Sequence, residues 1–155
     1  MATLTTTVTE SVTLNGHTYG NTRTQTHTDI SQVVQHNVIV DIGEFTVYSE
    51  LDNDEATSAS QFDAEKVQYI RISNLSASID LKVFVDSSEA SNIDNYGNVI
   101  APGATMIFGQ MDDGVLISDS AAVIEGNTFV DVSKIAVAAE SGTVEVEYFI
   151  ASQSQ

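Results

Sequence analysis

The chain has 155 residues, is 42% apolar, contains no cysteine, and sets 22 acidic residues against five basic ones for a formal net charge of −17. That length and apolar share suit one domain that buries about two thirds of its unfolded surface, and no stretch approaches the roughly 20 apolar residues of a membrane-spanning helix. So acidic a chain lacks the Lys and Arg that displace counterions from phosphate, which excludes nucleic acid as a partner and disfavours anionic membranes.

The first 28 residues hold eleven of the sixteen threonines. From Ala2 to Thr13 they alternate, Leu4, Val8 and Val12 against Thr3, Thr5, Thr7, Thr9 and Thr13. After Asn15-Gly16, Thr18, Thr22, Thr24, Thr26 and Thr28 share one parity, and His17, Tyr19, Arg23, Gln25 and His27 the other. β-branched threonine suits a pleated strand, and Asn-Gly supplies the positive φ angles of a two-residue hairpin turn. The reading is a long Thr-rich β-ribbon over residues 1–28, too poor in large apolar side chains to stand alone in water.

A body over residues 29–155 follows. Ile30–Val40 and Phe45–Glu50 read as strands, and Leu51–Lys66 as a polar loop or short helix pinned to the core by Phe62. Val67–Ser73 and Ile79–Val85 alternate cleanly and read as a central antiparallel hairpin turning at Asn74–Ser78. Pro102-Gly103 favours a type II turn between Val99-Ile100 and Thr105–Phe108. Strands follow at Val115–Ile117, Phe129–Ala139 and Thr143–Ala151, the last with Val144, Val146, Tyr148 and Ile150 opposite Glu145, Glu147 and Phe149. No segment has the period of an amphipathic helix. The expected fold is all-β, an antiparallel β-sandwich or jelly-roll-like domain carrying the N-terminal ribbon.

Chemistry-bearing motifs are sparse. His17, His27 and His36 lack neighbours at ligand spacing and read as solvent-facing strand residues, although a turn could bring His27 and His36 together. Asp52-Asn53-Asp54-Glu55 and Asp112-Asp113 are the oxygen-rich candidates for calcium, without the glycine and distal glutamate of a helical-hand loop. There is no Gly-x-Ser-x-Gly elbow and no phosphate-cradling glycine loop. Without tryptophan, and with its other aromatics mostly at core positions, the chain lacks the aromatic platforms of a carbohydrate enzyme. The expectation is a non-enzymatic protein with no cofactor and no metal. The start Met-Ala-Thr-Leu-Thr lacks the basic and apolar regions of a secretory leader, so synthesis and folding in a reducing cytoplasm are expected. The acidity reads as solubility, or as adaptation to high salt, where self-repulsion is screened.

Three segments occur in order: Ser11–Asn21 (SVTLNGHTYGN), Val67–Leu75 (VQYIRISNL) and Ile100–Gly109 (IAPGATMIFG). Together they resemble small β-rich virion proteins of tailed bacteriophages, especially marine ones. The resemblance spans roughly residues 5–110 and implies a structural role in the particle without catalysis or cofactor. It places the protein in the virion, made in the cytoplasm of a bacterial host. Strong acidity suits the outer capsid surface better than a DNA-facing one. The resulting expectation is a decoration or cement protein that binds the major capsid protein or other virion proteins, as a homo-oligomer with a trimer favoured. A tail, neck or fibre-adaptor protein is the structural alternative. A glycan- or calcium-binding surface module is the alternative of another class. The residues expected to meet the partner are Thr5, Thr7, Thr9, Asn15, Gly16, Tyr19, Arg23, Thr24 and Thr26, through strand pairing.

Overall fold

β-branched and alternating segments become fourteen strands in the computed structural model, which describes residues 2–50, 61–87, 96–109, 111, 115–117 and 128–153. In chain order they are β1 (Ala2–Thr9), β2 (Val12–Leu14), β3 (His17–Tyr19), β4 (Thr22–Val40), β5 (Phe45–Glu50), β6 (Gln61–Phe62), β7 (Val67–Asn74), β8 (Leu81–Ser87), β9 (Tyr96–Ile100), β10 (Thr105–Phe108), β11 (Val115–Ile117), β12 (Thr128–Val130), β13 (Val132–Ala139) and β14 (Val144–Gln153). One turn of 3-10 helix, Ala64–Lys66, precedes β7, and the Asp63 carboxylate caps it by accepting from the Glu65 N–H at 3.0 Å.

Two five-stranded sheets carry the fold, ordered β1-β4-β14-β7-β10 and β6-β5-β13-β8-β9. Without β1 and β6, the eight strands left in these two sheets, counted in chain order, pair first-eighth-third-sixth in one and second-seventh-fourth-fifth in the other, with β11 and β12 forming a separate pair. This all-β sandwich thus has the strand order of a jelly roll. Pairing is antiparallel except for the short β5–β6 contact, Ser49 with Gln61 and Glu50 with Phe62.

The period-two pattern explains the core. In β8, Leu81, Val83 and Val85 point inward while Phe84 stays out; in β14, Val144, Val146, Tyr148 and Ile150 point inward. Ile70 and Ile72 of β7 complete one wall, and Ile135 and Val137 of β13 the other, in a single apolar cluster. Phe62 is buried and stacks on Tyr48, with ring centroids 6.3 Å apart.

The central hairpin expected from Val67–Ser73 and Ile79–Val85 does not form, because β7 and β8 lie in opposite sheets. The reason is Asn74, which is fully buried. Its Nδ2 donates to the Ile79 and Ile100 carbonyls at 2.9 and 2.8 Å, and its Oδ1 accepts from the Ser76 N–H at 2.9 Å. Its main chain is held by Ala104 and Gly103, so the chain arches across the sandwich instead of turning back. The Pro102-Gly103 turn crosses as well, from β9 to β10. It keeps type II features: Gly103 has φ 72°, and the Ala104 N–H bonds the Ala101 carbonyl at 2.9 Å.

The 19 residues of β4 extend for about 60 Å at the usual strand rise. Residues Ile30–Val40 pair with β14, and Thr22–Ile30 pair with β1. Asp29, with φ 61°, and a register shift in β1 between Ala2 and Leu4 mark the join. Ribbon and body therefore share one strand, and the ribbon continues past the end of β14 as a two-stranded arm.

Replacing Asn74 by Ala strands the buried Ile100 carbonyl and the part-buried Ile79 carbonyl and Ser76 amide, so urea unfolding should register a loss of at least about 2 kcal/mol. A loss below about 0.5 kcal/mol would show that the arch does not depend on this side chain.

Candidate functional site

Register along the arm builds a ladder of threonines. Thr5 lies opposite Thr26, Thr7 opposite Thr24 and Thr9 opposite Thr22, all exposed. The hydroxyls of Thr7 and Thr24 are 3.3 Å apart, and those of Thr9 and Thr22 are 3.2 Å apart. At the tip, Thr13 and Thr18 form another such pair at 3.3 Å. Directly opposed threonines are favourable cross-strand neighbours, each pair contributing a few tenths of a kcal/mol.

The opposite face of β1 and β4 carries Leu4, Thr6 and Val8 against His27, Gln25 and Arg23. Leu4 and Thr6 are half-buried, and His27 is 9% exposed, with its ring 6.5 Å from that of Tyr69. Tyr69, Arg71 and Phe149 alternate with the core residues of their strands, so this is the outer face of the first sheet. A cleft of ≈ 540 Å³ separates β1 from that face, with Ile107 and Phe149 in its lining.

The expected long hairpin keeps one register from Leu4 opposite His27 to Leu14 opposite His17, with a kink between the two strand pairs. Glu10 donates its N–H to the Asn21 carbonyl at 2.9 Å, and Gly20 adopts φ 137°. A Cβ at Gly20 would sit 2.0 Å from the Glu10 carbonyl oxygen, so only glycine fits this kink. Beyond it, β2 and β3 close at Asn15 (φ 51°) and Gly16 (φ 79°), two positive angles suited to a tight hairpin turn. Val12 opposes Tyr19 and Leu14 opposes His17 on one face of the tip, where Val12, Leu14 and Tyr19 are 58%, 60% and 56% exposed.

Among the residues expected to meet a partner, Thr5, Thr7, Thr9, Thr24 and Thr26 share the ladder face, Asn15 and Gly16 form the turn, and Tyr19 joins the apolar tip. Arg23 stands apart, opposite Val8 on the face away from the ladder. Thr22, Val12 and Leu14 belong to the same surfaces and were legible from parity alone. The histidines correct one expectation. His27 is buried by Tyr69, and His27 and His36 lie on one strand without meeting, His36 being 5.7 Å from Tyr148.

Charge is divided unevenly. Residues 1–28 contain one acid, Glu10, and one base, Arg23. In the body Lys66 pairs with Glu65, Arg71 with Glu147, Lys82 with Glu140, and Lys134 with Glu44 and Asp86. Arg23 is the one base outside an ion pair among the described residues. The arm is thus a near-neutral strip on a strongly acidic body.

Elsewhere, burial pushes the Tyr48 hydroxyl well up, with Glu50, Asp131 and Asp63 adding to the effect. That hydroxyl has no hydrogen-bond partner among the described residues. Burial also raises Glu50 above the usual carboxylate range, again helped by Asp131 and Asp63. No group of three or more His, Asp or Glu among the described residues is placed to hold a metal. The acidic segments Asp52–Glu55 and Asp112-Asp113 lie outside the described residues. Comparison of the chain with family models, curated proteins and solved structures finds no match.

Because the folded state raises the Glu50 pKa, its charge opposes folding at neutral pH, and the penalty disappears as pH falls through the raised value. Glu50→Gln should therefore melt higher than the parent at pH 7, with the gap closing toward about pH 4. A gap that stays constant with pH would contradict the assignment.

Proposed function

We propose that this protein is a non-enzymatic structural component of a phage virion, a decoration protein that sits on the outer capsid surface and binds the major capsid protein through its arm. The observation that carries the reading is the arm itself: a near-neutral β-ribbon with an exposed threonine face and an exposed apolar tip, on a strongly acidic body. A −17 body repels other acidic surfaces, so a neutral element is the part able to approach one. Of the tip residues, Tyr19 is the anchor, of a type that dominates interface energy once desolvated, and Val12 and Leu14 add apolar area removed from water. The ordered similarity of three segments to β-rich virion proteins supports the particle context. Jelly-roll folds occur in viral capsids and also in lectins, so strand order alone lends no preference.

In this reading the isolated protein, added to particles that lack it, binds at a density that follows the capsid lattice. Leu14→Asp and Tyr19→Asp leave the body's melting temperature unchanged and weaken binding by about tenfold or more. Binding confined to one vertex would instead assign the protein to neck or tail. Binding to a glycan array, unaffected by the tip substitutions, would make it a surface-binding module.

A further inference from the structure

We propose that the free edge of β1 pairs antiparallel with β1 of a second copy, about a twofold axis, to join two arms into one four-stranded sheet. This goes beyond the capsid reading and stands without it, since the tip serves the other protein and the edge serves the second copy.

The edge is unguarded. Natural sheet edges are blunted by lysines, prolines, bulges or shortness. Ala2–Thr9, with sequence ATLTTTVT, has no charge and no proline, and it is regular from Leu4 to Thr9. The other outer strands differ: β6 has two residues, β10 four, and β9 five with a glycine inside. A two-stranded ribbon is marginal in water, and three or more strands are needed for independent stability. Past the end of β14 the arm has two, so an edge-to-edge pair supplies what the arm lacks.

Self-pairing is also geometrically consistent. Successive residues of a strand aim their N–H and C=O groups to opposite sides, so the outer edge of β1 presents one parity. Two identical edges placed antiparallel must then oppose residues of equal parity. Odd residues meet odd ones, extending the exposed threonine ladder from one copy to the next. Even residues meet even ones on the face turned toward the body. A twofold axis at Thr6 sets Leu4 against Val8, Thr5 against Thr7 and Thr6 against itself. An axis at Thr7 would set Val8 against Thr6 instead, so apolar matching selects Thr6. The same arrangement covers Val8 and Ile107, each 49% exposed beside the cleft. Charge allows the approach, because the arm carries only Glu10 and Arg23 while the body holds the remaining acids. Such a contact is isologous and closes at two copies, in place of the trimer expected from the sequence.

The chain has no cysteine, so single-cysteine variants of the full protein report the axis directly. Under mild oxidation Thr6→Cys should cross-link efficiently. Thr5→Cys and Thr7→Cys should cross-link poorly alone but with each other when mixed, because directly opposed Cα atoms lie within disulfide reach and diagonal ones do not. Light scattering of the parent should give two copies, and Thr5→Lys/Thr7→Lys should give one, with the body's melting temperature unchanged. A monomeric parent, three copies, or equal cross-linking at all three positions would overturn the proposal.

Discussion

The structure depends on one strand serving two partners. Over Ile30–Val40, β4 is clamped by β14 and lines the sandwich, and over Thr22–Ile30 it is held by β1 alone. The arm is therefore not tethered by a linker. Its direction follows from main-chain hydrogen bonds that continue out of the body sheet, redirected at Asp29 so that His27 packs on Tyr69. The arm portion of this strand can leave the domain only because the core cluster draws on β4 from Ile30 onward and on no residue before it. Ile70, Ile72, Val83, Ile135 and Ile150 are fully buried with no contribution from residues 1–28.

Separation of charge follows the same division. The body places its lysines and Arg71 in ion pairs with neighbouring carboxylates, which leaves a surface of one sign. Exposed pairs of this kind add little stability. Their effect is on association, since uncompensated acids repel every similar surface while the arm carries almost no charge. Threonine fits this division, being β-branched enough to hold a strand and polar enough to stay in water.

Much of this was legible in the sequence, and the failures have physical reasons. Alternation in Leu81–Val85 and Val144–Ile150 gave the buried faces directly, because period two decides which side of a sheet a residue occupies. It does not decide which sheet, and so Val67–Ser73 and Ile79–Val85 look like a hairpin from the sequence. The deciding residue, Asn74, looks like an ordinary turn asparagine until its bond to the Ile100 carbonyl, 26 residues away, is seen. The same limit applies to His27, whose burial rests on Tyr69, far along the chain. Parity about Asn15-Gly16 put the threonines on shared faces, whereas their pairing and the kink at Gly20, set by the close approach of Glu10, belong to the structure. Strand order rests on long-range pairing that no local pattern encodes.

Amide hydrogen exchange of the full chain, dilute and then assembled, tests the central claim that the arm is the contact element. The β1 and tip amides should exchange fast in the dilute protein and become protected on assembly, while β9 and β10 stay as they were. Protection that appears at β9 or β10, with β1 and the tip unchanged, would contradict it.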